Sequence, residues 1–70
     1  MNNVYAISEV VGSSTKSIED AIANAAATAA THLRNLDWFE VTEIRGSLNK
    51  DGSIAHYQVG VKIGFRYERH

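Results

Sequence analysis

The chain contains no cysteine and no proline. Without cysteine no disulfide can staple the fold, and the sequence carries no redox mark of its compartment. His32, His56 and His70 are scattered and lack thiolate partners, which argues against a structural zinc site. Lys+Arg 7 stand against Asp+Glu 8, a net charge of −1 with no basic cluster, so a nucleic-acid footprint is not indicated. No apolar run approaches a membrane span, and the N-terminus lacks a charged stretch followed by an apolar one. The cytoplasm is the expected location. With no proline, linker or repeat to divide it, the chain is expected to form a single domain over residues 1–70. A chain of this length buries only about 60% of its unfolded surface. With disulfides and zinc set aside, oligomerisation is left as the stabiliser.

Residues 4–11 are rich in β-branched and aromatic side chains and read as a strand. Gly12-Ser13-Ser14-Thr15 reads as a small-residue turn that ends it. Ser17 then fits a helix N-cap, with Glu19 and Asp20 in the first turn where the macrodipole favours them. Ile18, Ile22, Ala25, Ala29, Leu33 and Leu36 recur at spacings of three and four, one buried helical stripe. Ala21, Ala23, Ala26, Ala27 and Ala30 favour helix with almost no bulk, so the helix can lie close against a sheet. Asn35 is suited to the left-handed conformation that closes a helix lacking a terminal glycine.

Residues 38–48 and 53–68 read as the next two strands. The second alternates over its length: Ala55, Tyr57, Val59, Val61, Ile63, Phe65 and Tyr67 on one face, His56, Gln58, Gly60, Lys62, Gly64, Arg66 and Glu68 on the other. Lys50-Asp51-Gly52 fits a three-residue hairpin loop with Gly52 left-handed. Setting Asn49 opposite Ser53 aligns Phe39 with Ile63, Val41 with Val61, and Glu40 with Lys62. A one-residue slip would put Phe39 against Lys62. The expected fold is α+β: a β-α-β-β protomer, with a three-stranded antiparallel sheet wrapped around one helix.

In this register Trp38 faces Gly64 and Gln58 faces Ile44, both out of phase with the core. A large aromatic plane and a carboxamide so placed need another partner, either a flat heteroaromatic ligand or a neighbouring subunit. Six residues separate the two along the ladder, about 20 Å at the usual strand rise. If both serve one site, different subunits supply them.

The run Leu36-Asp37-Trp38-Phe39-Glu40-Val41, then Arg45-Gly46, His56-Tyr57-Gln58-Val59, Lys62 and Gly64-Phe65-Arg66 resembles the dodecin family. The resemblance extends to Glu9-Val10-Val11-Gly12-Ser13-Ser14 and to the alanine-rich helix, and so spans essentially the whole chain. It implies assembly into a hollow homododecamer that binds flavins, with isoalloxazines stacked between symmetry-related tryptophans and a glutamine on the pyrimidine edge. By position these are Trp38 and Gln58. The resemblance implies flavin mononucleotide (FMN) as the ligand, with riboflavin or FAD as alternatives, and coenzyme A at other symmetry positions. Arg45 is the first choice for the phosphate, followed by Arg66 and Lys62. Gly60 departs from the family pattern, which usually has a small polar or β-branched residue there.

Each residue also has a plainer reading. Trp38 could fill a subunit interface, and Gln58 could be a solvated strand residue. Arg45 falls in the core-facing phase, where a charge is costly unless paired, and Glu43 is its obvious partner. His56 faces Gly46 and could bond a ligand or sit at an exposed hairpin end. Lys62 is most simply the partner of Glu40, and Tyr5 and Tyr67 are interface or core aromatics. No nucleophile–base–orienter set, carboxylate dyad or glycine-rich phosphate loop is present, so the chain is read as a binding protein and not an enzyme. Indole beside flavin permits electron transfer to the excited ring, so quenched emission and suppressed photochemistry are expected. The alternative function is an oligomeric shell that binds coenzyme A or another nucleotide, with no flavin role.

Overall fold

A computed structural model describes residues 3–67. Strand β1 (Tyr5–Ser14) leads into helix α1 (Ile18–Ala30), and β2 (Leu36–Leu48) and β3 (Ile54–Arg66) follow as a long hairpin. Both strand pairings are antiparallel and the order is β1-β3-β2, so β3 is central. The helix packs on β1 and β3. The hairpin draws the protomer out to 55 × 19 × 13 Å. This is the β-α-β-β arrangement expected from the sequence. Glu68 and His70 lie outside the described residues.

Ser17 is extended, and its Oγ accepts from the Asp20 amide at 3.0 Å, closing the N-terminus of α1 as its residue type requires. The Ser14 hydroxyl donates to Asp20 Oδ2 at 2.6 Å and accepts from the Lys16 amide at 2.9 Å, tying strand to helix. The buried stripe of α1 is Ala21, Ala25 and Ala29, with Ile18 and Ile22 flanking it part-buried, so it is shifted from the expected set. The helix also stops earlier than the periodicity indicated. Leu33 and Leu36 lie beyond Ala30, yet still reach the same core from the connection and the first residue of β2. Asn35 is left-handed at φ 61°, but at the turn into β2 and not at the helix end. There its carbonyl accepts from the Arg66 amide at 3.0 Å.

The core is narrow: Ala21, Ala25 and Ala29 meet Val59, Val61 and Ile63. Alanine lets the helix axis approach the sheet, and Gly12 shows how closely. A β-carbon there would run into the Ala21 carbonyl and the Ala25 methyl. Gly12 is therefore a close-approach residue inside a strand. The expected turn at Gly12–Thr15 is thus mostly strand, and β1 continues to Ser14.

The hairpin register agrees with the sequence reading at both ends and departs from it in the middle. Trp38 faces Gly64, Phe39 faces Ile63, Glu40 faces Lys62 and Val41 faces Val61. At the loop the Asn49 amide donates to the Ser53 carbonyl at 2.8 Å, and Gly52 is left-handed at φ 89°. Between these, an irregularity after Val41 shifts the pairing by one residue, so that Glu43 faces Gly60 and Ile44 faces Val59. A second irregularity, between Ser47 and Leu48, restores the original count. Gly60 accommodates the first, because the Thr42 hydroxyl and the Glu43 side chain occupy the space its β-carbon would take.

Gly12→Ala is expected to destabilise the protein by about 1–3 kcal/mol, as overpacking against a fixed backbone does. Denaturant unfolding at fixed protomer concentration measures it; an unchanged midpoint would contradict the close approach.

Candidate functional site

Because β3 alternates, one row faces the helix and the other row forms the outer face of the sheet. That outer row is Gln58, Gly60, Lys62, Gly64 and Arg66. Its partners on β1 are Ser13, Val11, Glu9, Ile7 and Tyr5. On β2 they include Arg45, Glu43, Glu40 and Trp38. The candidate residues divide between the two ends of this face.

At one end the Trp38 indole lies over Gly64, whose missing β-carbon would fall among the ring atoms Cδ2, Cε2 and Cζ2. The ring is still 40% exposed, so one broad face is supported by the sheet and indole surface remains open. Strands flanking a central one are about 9–10 Å apart, and side chains from them rarely meet over an occupied position. With nothing on Gly64, Tyr5 of β1 reaches a ring-centroid distance of 6.4 Å from Trp38, tilted by 52°. The Tyr5 hydroxyl donates to Asp37 Oδ2 at 2.9 Å. That bond to the Asp37 carboxylate favours the neutral phenol and raises the Tyr5 pKa, with Arg66 opposing. Arg66 lies directly across from Tyr5 in the ladder. Asp37 is at the irregularity between Leu36 and Trp38.

At the other end, the shifted register overturns two expectations. Gln58 faces Arg45 and not Ile44, and Arg45 is on the outer face instead of the core-facing one. Arg45 Nε donates to Gln58 Oε1 at 3.2 Å, and its terminal Nη1 pairs with Glu43 Oε1 at 2.8 Å. Both partners of this ion pair are about half exposed, so it contributes at most about 1 kcal/mol to stability. Its effect is to hold the guanidinium beside the carboxamide. The expected Arg45–Glu43 pairing is present, formed within one strand. His56 faces Ser47 and not Gly46, and its Nε2 is 3.2 Å from Ser47 Oγ.

Lys62 stands midway, opposite Glu9 on one side and Glu40 on the other. Thus Arg45, Gln58 and His56 are grouped at one end and Trp38 and Arg66 at the other. Gln58 and the Trp38 partner Gly64 remain six positions apart, about 20 Å. One chain does not close a site around both. Tyr5 and Asp37 were not singled out as a functional pair from the sequence. The signal for them was Gly64, a glycine opposite a tryptophan on a strand that otherwise alternates cleanly.

A groove of about 310 Å³ runs between β1 and α1, lined mainly by Val10, Val11, Ala25, Ala29 and Leu33, with His32 at its margin. Among the described residues no three His, Cys, Asp or Glu side chains are grouped to hold a metal. No helix among them is long and apolar enough to cross a membrane.

Comparison with known proteins agrees with this architecture. The family model described as Dodecin matches residues 4–68. The dodecin of Thermus thermophilus is 48% identical over 68 residues, 97% of either chain. The solved structure of dodecin from Streptomyces davaonensis superposes with a TM-score of 0.91 at 48% identity, covering 99% of this chain and all of the other. That of Streptomyces coelicolor gives 0.90 at 49%, covering 99% and 97%. A β-α-β-β protomer with this strand order, matched from end to end by sequence and by structure, belongs to the dodecin family.

Proposed function

We propose that the protein is a homododecameric flavin-binding protein that stores FMN and suppresses its photoreactivity. The observation that carries this reading is the Trp38 indole, laid on a glycine and half-exposed on a strand. An electron-rich plane held this way suits offset stacking with an electron-poor isoalloxazine. Gln58 carries the acceptor and donor that a pyrimidine edge requires, and Arg45 is hydrogen-bonded to it. Arg45 and His56 then supply the polar and cationic surroundings for the rest of the ligand. Arg66 and Lys62 are further cations of the same face.

The separation of Trp38 from Gln58 supports assembly, since a second subunit is needed to bring the two ends together. Surface composition points the same way: Phe39, Ile44, Leu48 and Ile54 are each more than half exposed along the hairpin. A core of three alanines, two valines and an isoleucine is small for a free-standing fold. A bound flavin would bring its own light absorption and redox capacity; the chain contributes stacking, orientation and exclusion of other reactants. Among the described residues no set is arranged for turnover, and the reading is of a binding protein.

Titration of FMN with the protein is expected to extinguish flavin emission at a defined stoichiometry, with the complex sizing as a dodecamer. Trp38→Ala should weaken binding by about 1–3 kcal/mol, the scale of an aromatic stack, and restore most of the emission. Unchanged emission on adding the wild-type protein would overturn the flavin reading. Arg45→Ala should cost FMN about 1.5–3 kcal/mol, as loss of a charge-assisted bond does, while affecting riboflavin less. Equal losses for the two ligands would assign Arg45 to Gln58 alone and not to the phosphate.

A further inference from the structure

Tyr5, Trp38 and Asp37 form a cluster whose internal geometry goes beyond what stacking a ligand requires. The tyrosine ring is 6.4 Å from the indole and its hydroxyl is 2.9 Å from a carboxylate oxygen. A phenol gives up an electron readily only if its proton leaves with it, and the acceptor must lie within hydrogen-bond reach, about 2.6–3.2 Å. Asp37 meets that condition. We propose that the three residues form a radical relay: an oxidised Trp38 is reduced by Tyr5, and the phenolic proton passes to Asp37.

The step balances. Loss of one electron makes Trp38 an indole radical cation. Tyr5 gives one electron to the indole and its O–H proton to Asp37 Oδ2. The products are neutral Trp38, a neutral tyrosyl radical and a carboxylic acid; a charge of +1 and one of −1 have become zero. One electron returned by the reduced oxidant, with the proton returned from Asp37, restores the resting state. The oxidant in the cell is a photoexcited flavin, and that part rests on the flavin reading. The relay itself requires only an oxidised Trp38. Its use is repair: the chain has one tryptophan, and an indole radical that persists reacts irreversibly with oxygen. The other tyrosines are placed differently. Tyr57 pairs with Ser14 and Gly46 on the helix-facing row, and Tyr67 lies beyond the end of β3.

Pulse radiolysis of the ligand-free protein with azide radicals, which oxidise tryptophan preferentially, tests this without flavin. The indole-radical absorbance is expected to decay as tyrosyl-radical absorbance grows, at a rate independent of protein concentration. Tyr5→Phe should abolish the growth and lengthen the indole-radical lifetime severalfold, whereas Tyr57→Phe should leave both unchanged. Asp37→Asn keeps both rings and should slow the transfer severalfold. Absence of matched growth, or growth that survives in Tyr5→Phe, would overturn the relay; an unchanged rate in Asp37→Asn would overturn the role of the carboxylate. A protein that failed to bind FMN could still show the relay, so the two readings fail separately.

Discussion

The extra residue that β2 inserts after Val41 turns the strand over halfway along its length. Before it, odd-numbered residues face the helix side, as Val41 does opposite Val61; after it, Ile44 takes that side opposite Val59. Arg45 is thereby carried to the outer face, where its guanidinium can meet Gln58 and Glu43. In an unbroken ladder the same arginine would point toward the apolar side, where an ion costs several kcal/mol unless fully paired. The polar end of the candidate site thus depends on a bulge, and the bulge depends on Gly60 leaving room for Thr42 and Glu43.

Glycines set the other end as well. β3 carries Val59, Val61 and Ile63 toward the helix and offers Gly60 and Gly64 on its opposite face. Each glycine receives a side chain from β2. On Gly64 the result is an indole with one side supported and exposed surface remaining, an aromatic contact with Tyr5 and a phenol directed at Asp37. A β-carbon at that position would remove all three features together. Central-strand glycines are ordinarily a weakness in a sheet; here they are the seats for Thr42 and Glu43 at one position and for Trp38 at the other.

The alternation of β3, the hairpin loop at Gly52, the Ser17 cap and the register around Phe39 were legible in the sequence because each is set by local pattern or turn chemistry. The middle register was not. Hydrophobic pairing of Val41 with Val61 is satisfied equally with and without a bulge beyond it, and nothing in the one-letter pattern of Thr42-Glu43-Ile44 marks an extra residue. The departure of Gly60 from the family pattern was visible, and its reason was steric. The helix end was misplaced because Leu33 and Leu36 keep helical spacing while reaching the core from non-helical backbone. Phase singled out Trp38 and Gln58, and the family resemblance supplied the ligand roles expected of them; Tyr5 was left among generic aromatics because its meeting with Trp38 spans an intervening strand.

The strand order gives β1 an edge that this chain does not pair. Its outer row reads Tyr5, Ile7, Glu9, Val11, with Ile7 and Val11 each more than half exposed and Glu9 the single charge among them. Unpaired amides beside apolar side chains make a template for any passing strand. A lone protomer is in that respect an aggregation hazard, restrained mainly by one glutamate. Any arrangement that covers this edge removes the hazard, and the yield of folded protein depends on how soon it is covered.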